Sequence, residues 1–113
     1  MADSLNRKDM PVLKFAKLRY NFGTFKKKAT SSFVVKFKFQ NVGNAPLVIY
    51  KVDVSCGCLS ADYPRHPIMP NQKGIITVMV SEQDFAGAFN KTLFVRSNAT
   101  EDIILLRIVG KIK

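Results

Sequence analysis

Phe33-Val34-Val35-Lys36-Phe37-Lys38-Phe39-Gln40 is the stretch that decides the fold class. In an extended chain Phe33, Val35, Phe37 and Phe39 share one face, and Val34, Lys36, Lys38 and Gln40 share the other. Successive side chains point to opposite sides only in a strand, so the segment reads as apolar in and mostly polar out. A helix would scatter the phenylalanines around its circumference. Such an aromatic row could be a stacking platform for bases, but it is far more often half of a sandwich core, which is the reading taken.

Working outward, Val12–Phe15 predicts a first strand after Pro11, and Leu18–Phe22 a second, ended by a turn at Asn21-Phe22-Gly23-Thr24. Lys26–Lys28 reads as a solvated loop. Asn41-Val42-Gly43-Asn44-Ala45-Pro46 is rich in turn residues, and Leu47–Val54 is the next strand. Pro64, Pro67 and Pro70 make Leu59–Gly74 irregular, with Ile68 available for a brief edge pairing and Asn71–Gly74 forming a turn. Ile75–Val80, Asn90–Ser97 and Ile103–Ile112 are strands, and Glu82–Gly87 is a connecting loop. The last strand is apolar on both faces for much of its length, which suits a central position, and Gly110 within it marks a bulge or a close approach. About seven strands without a helical period predict an all-β, immunoglobulin-like two-sheet β-sandwich. The Cys…Trp…Cys framework of antibody domains is absent.

The 113 residues suffice for one domain: a flexible tail over residues 1–10 and a single sandwich over 11–113. No stretch is apolar for 18 residues, so no transmembrane segment is expected. Residues 1–10 lack the apolar segment of a signal peptide, so the chain is either cytosolic or a mature form whose export signal is gone. The formal net charge of +10 favours acidic partners, and 10 of the 18 basic residues lie at or before Lys38. The expected partner is a protein or an acidic polymer. Nucleic acid is not the expected one, because the basic residues are scattered. A monomer without cofactor is expected.

Several motifs, taken in order, resemble one family. They are Asn21-Phe22-Gly23-Thr24, Phe37–Gly43, Ala45-Pro46-Leu47-Val48-Ile49, Ser55-Cys56-Gly57-Cys58, Pro67-Ile68-Met69-Pro70, Gly74–Val78, Gly87–Lys91 and Ser97-Asn98. Over residues 19–113 the chain resembles the bacterial domain of unknown function 1573 family, common in Bacteroidetes. The resemblance implies an Ig-like sandwich in an exported protein, placed in the periplasm or cell envelope; it carries over no enzymatic activity, and a non-enzyme is expected. The sequence departs from the family at Leu59, where Thr is usual, and at Asn71, where Gly is usual.

Cys56 and Cys58 are the only cysteines, and His66 the only histidine. Three readings of the pair compete. In the first, both thiols pack as small hydrophobes on the face of Val52 and Val54. In the second they are joined or redox-active, which across one residue needs a kinked strand. In the third they bind metal: two thiolates suit Cu(I), while zinc would also draw on His66 and Asp62. Cys56, Cys58 and His66 are therefore the redox or metal candidates, and a Cys58–His66 pair is the one nucleophile–base combination available. The Cys-Gly-Cys turn and the proline loop are expected near one another at one end of the sandwich. The function expected is a non-catalytic binding or scaffolding module of the cell envelope, with a thiol-redox or Cu(I)-binding protein as the alternative.

Overall fold

A computed structural model describes residues 9–25, 32–81 and 87–112. The Lys26–Lys28 loop and most of the Glu82–Gly87 loop lie outside these residues. Among the described residues, eight strands form two four-stranded sheets: β1 (Leu13–Phe15), β2 (Arg19–Phe25), β3 (Ser32–Asn41), β4 (Ile49–Val54), β5 (Leu59–Asp62), β6 (Lys73–Ser81), β7 (Gly87–Ser97) and β8 (Ile103–Ile112). One sheet has the order β1-β3-β6-β5 and the other β2-β8-β7-β4. This is the expected Ig-like sandwich, with β8 central between β2 and β7.

The alternation in β3 explains the core. Val35, Phe37 and Phe39 are buried, while Val34, Lys36 and Lys38 face water. Antiparallel to β3, β6 sets Val78 opposite Val35 and Ile76 opposite Phe37. Leu93 and Val95 of β7, with Leu106 and Ile108 of β8, fill the core from the other sheet. Each such side chain contributes about 1.5–3 kcal/mol by leaving water.

The first strand segment is divided between the sheets. After β1 pairs with β3, Ala16 N–H donates to the Lys38 carbonyl at 2.9 Å. The chain then crosses over, and the Leu18 carbonyl accepts from Arg107 N–H at 2.9 Å, opening the parallel pairing of β2 with β8. Gly23 adopts φ +75° as a turn residue would, yet β2 does not end there. The register slips between Asn21 and Thr24, so Gly23 belongs to a bulge and the strand runs on to Phe25.

The segment after Cys58 also differs from expectation. Leu59–Asp62 is β5, paired with β6, where the three downstream prolines had suggested irregular chain throughout. The prolines begin only at Pro64, so all four ladder residues can pair. Ile68 makes its brief pairing with Leu47. Asn71 adopts φ +72°, the left-handed region in which glycine is at ease and Asn next best. Gly110 is a close approach: a Cβ there would lie 2.9 Å from the Phe89 ring.

Candidate functional site

The two ends of the sandwich carry the side chains with chemical potential. At one end, the turn Val54–Leu59 takes the chain from β4 in one sheet to β5 in the other. Ser55 N–H donates to the Thr92 carbonyl at 3.1 Å, and Ser81 N–H to the Cys58 carbonyl at 2.8 Å, so each side of the turn is tied to its own sheet. Cys56 and Cys58 are joined in a disulfide with Cα atoms 5.3 Å apart. That span is shorter than a flat strand's two-residue advance of roughly 6.6–6.8 Å, so the backbone is kinked at Gly57. Cys58 is buried against the core, and Cys56 is half-buried. The reading of two free packed thiols is thus corrected in its bonding, although packing against the core holds. Val54 is exposed and does not share the buried face of Val52.

His66 does not join this turn. Tyr63 Oη donates to the Tyr50 carbonyl at 3.3 Å, Arg65 lies over the Tyr63 ring, and Ile68 pairs with Leu47. These contacts hold the loop carrying His66 at the start of β4, whereas the cysteines follow its end, a strand length of roughly 20 Å away. The expected neighbourhood of the Cys-Gly-Cys turn and the proline loop is therefore corrected: β5 carries the chain from one end towards the other. Cys58 and His66 form no pair, and His66 is exposed. Among the described residues no three His, Cys, Asp or Glu side chains gather as a metal site would require.

The opposite end is organised by Asn41, which is fully buried. Its Oδ1 accepts from Gly43 N–H at 3.0 Å and Val12 N–H at 3.3 Å. Its Nδ2 donates to the carbonyls of Ala45 at 2.8 Å and Ile68 at 2.9 Å. The Asn41 backbone adds bonds to Gln72 and Asn71. Met10 N–H donates to Asn44 Oδ1 at 2.9 Å, so Met10, placed in the tail by sequence, is fastened here. Gly43 lies so close to this segment that a Cβ would sit 2.6 Å from Val12 N. Asn98 works similarly: Val48 N–H donates to its Oδ1 at 2.8 Å, and its Nδ2 donates to the Pro46 carbonyl at 3.2 Å. Sequence reasoning read Asn41 as a turn residue. A signal was available, because 41 is the next odd position after Phe33, Val35, Phe37 and Phe39, so a polar side chain is aimed at the core.

On the outer face of the second sheet, Asp53 meets Arg96 Nε at 2.6 Å and Lys51 Nζ at 3.2 Å. The Arg96 guanidinium first, and then Lys51, hold the Asp53 carboxyl below its ordinary value of 3.8. Among the described residues no helix is long and apolar enough to cross a membrane.

No curated protein matches the sequence. Among solved structures, a protein of unknown function from Porphyromonas gingivalis is similar with a TM-score of 0.79 at 15% identity, over 92% of this chain and 48% of that one. The secreted serine protease VesC from Vibrio cholerae is similar with a TM-score of 0.65 at 13% identity, over 97% of this chain and 25% of that one. The ASH/PapD-like domain of human CEP192 is similar with a TM-score of 0.67 at 6% identity, over 93% of this chain and 87% of that one. The chain thus spans about half of the first structure's length and a quarter of the second's. At these identities the likeness concerns the Ig-like, PapD-like fold alone. The family model described as protein of unknown function, DUF1573, matches residues 13–112, nearly the whole chain. With that match the motifs, the two-sheet sandwich and the sequence agree, and the chain belongs to the DUF1573 family.

Proposed function

We propose that the chain is a non-catalytic Ig-like binding or scaffolding module of the bacterial cell envelope, engaging an acidic protein or polymer. The observation that carries this reading is where the reactive groups are used. Cys56 and Cys58 are bound to each other, and Asn41, Asn98 and Ser97 are bound to backbone groups of the fold. What is left for partners is surface, with a charge of +10 over the whole sequence. Export is supported by a disulfide, which persists in oxidising compartments, and by the shared fold of a secreted protease. The test is fractionation of the producing bacterium combined with thiol labelling of the denatured chain. The expected result is an envelope or periplasmic chain with no labelled thiol. A cytosolic chain with two labelled thiols would overturn the proposal.

A second reading, a thiol-redox or Cu(I)-binding protein, is favoured by the half-buried position of Cys56 in an exchangeable pair. In it, the disulfide takes two electrons and two protons from a dithiol substrate, giving a substrate disulfide and two cysteine thiols. The reduced pair would alternatively offer two thiolates to Cu(I). Equilibration with glutathione buffers, and Cu(I) uptake by the reduced chain against the Cys56→Ser plus Cys58→Ser variant, decide it. A pair that glutathione cannot reduce, in a chain taking up no more Cu(I) than the variant, removes this reading.

A further inference from the structure

Where the chain leaves β1 for β2, the side of the sandwich is notched. β1 covers β3 only at Phe39–Asn41, with one more bond from Ala16 to Lys38. Beyond Lys38, no strand among the described residues covers that edge of β3. Two adjoining concavities lie along this notch and share Ala16 and Lys38. The first, of about 330 Å³, is walled by Lys14, Lys38 and Lys73 around Gln40. The second, of about 230 Å³, is walled by Lys17, Arg19 and Lys36 beside Tyr20.

Neither lining contains an Asp or Glu. Lys36 and Lys38 are exposed by the outward phase of β3, Lys14 by that of β1, and Lys73 by its place at the head of β6. On the outer face of this sheet, Asp62 is the one carboxylate among the described strands. It stands opposite Thr77, two strand spacings or about 10 Å from Lys36. On the other sheet the cations Lys51 and Arg96 share Asp53. Six cations are therefore gathered on one side of the molecule with no acid in either lining, while the ion pairs of Asp53 lie on the other.

We infer that this notch is the docking groove for an acidic polysaccharide, which names the site and ligand of the binding-module reading and rests on it. Charge complementarity sets the sign of the ligand. Two concavities in series, with Lys36 and Lys38 about 7 Å apart on one strand, suit repeated anionic groups better than a single one. Five of the six cations are lysines, which are depleted from the cores of protein–protein interfaces. The exposed aromatic ring in the lining is Tyr20, which gives a sugar ring a flat apolar face beside the charges.

The experiment titrates the purified chain with fluorescent oligogalacturonate, a carboxylated sugar polymer, and in parallel with dextran, poly-L-glutamate and oligo-dT. Oligogalacturonate is expected to bind most tightly, to weaken at least tenfold between about 50 and 200 mM salt, and dextran not to bind. Lys36→Gln plus Lys38→Gln, and separately Lys14→Gln plus Lys73→Gln, each lower affinity roughly tenfold and flatten the salt dependence. Tyr20→Ala weakens oligogalacturonate but leaves poly-L-glutamate unchanged, and Lys51→Gln on β4, the far edge strand of the other sheet, changes neither. Thermal unfolding of each variant checks that these exposed substitutions leave the fold intact. No binding of oligogalacturonate, equal binding by the lysine variants, or tighter binding of poly-L-glutamate or oligo-dT would each overturn the inference. Because the envelope module is tested by fractionation, failure here leaves that reading standing with another partner.

Discussion

At one end of the sandwich a single buried amide, Asn41, holds together segments 29 and 27 residues away in sequence. At the other end a covalent bond joins two residues separated by 2. The weaker kind of bond does more for the fold. A native contact stabilises through what it organises in the folded state and what freedom it removes from the unfolded one. The disulfide closes a ring so small that the unfolded chain loses little by it. The amide bonds two N–H groups and two carbonyls from three separate segments, and without them its own buried polar atoms would have no partner.

The sharpest way to break this comparison is Asn41→Ala. It is expected to cost about 3–5 kcal/mol, or to prevent folding, measured by urea denaturation. A cost below about 1 kcal/mol would show that water replaces the amide. Gly43→Ala comes next: its Cβ would press on the backbone of Met10 and Val12, for a loss of about 1–3 kcal/mol by the same measurement. Turning to the other end, Cys56→Ser plus Cys58→Ser is expected to lower stability by only about 1–2 kcal/mol. If this double variant proved as damaging as Asn41→Ala, the ranking of the two ends would be reversed. Asn71→Ala, at φ +72° beside Asn41, is expected to cost about 1 kcal/mol, with Asn71→Gly tolerated.

The smallest effect belongs to Asp53, on the strand leading to the cysteines. Its carboxyl is held below 3.8 in the folded chain by Arg96 and then Lys51. A depressed folded pKa adds stability above the unfolded value and loses it as pH falls through the folded one. Melting curves of the parent and Asp53→Asn should therefore differ by a constant amount from pH 5 to 8 and converge only in acid below about 4. Any convergence near neutrality would assign the effect to another group.

How much was legible differs between elements. β3 could be read from its own residues, because a large apolar side chain at every second position from Phe33 to Phe39 permits one local structure. The central place of β8 was also legible, from apolar residues on both its faces. β5 was obscured by the prolines that follow it, since pairing four residues is decided by a neighbour far along the chain, Thr77–Val80 of β6. The bulge at Gly23 could not be told from a turn, because both use the same positive φ and only the partner β8 distinguishes them. At the candidate site, the Cys-Gly-Cys stretch was visible as a motif, but its bonding depended on a backbone kink that periodicity does not report.

By itself, then, the sequence determined seven of the eight strands, most of the turn residues, the sandwich class and the family. These rest on alternation and on backbone preferences that act over a few residues. Tertiary structure alone decided that His66 and the cysteines lie at opposite ends, that Asn41 is a buried hub, and that Lys14, Lys17, Arg19, Lys36, Lys38 and Lys73 line one notch. Those facts follow from strand order and register, which are set by the packing of whole faces against each other and leave no local mark in the chain.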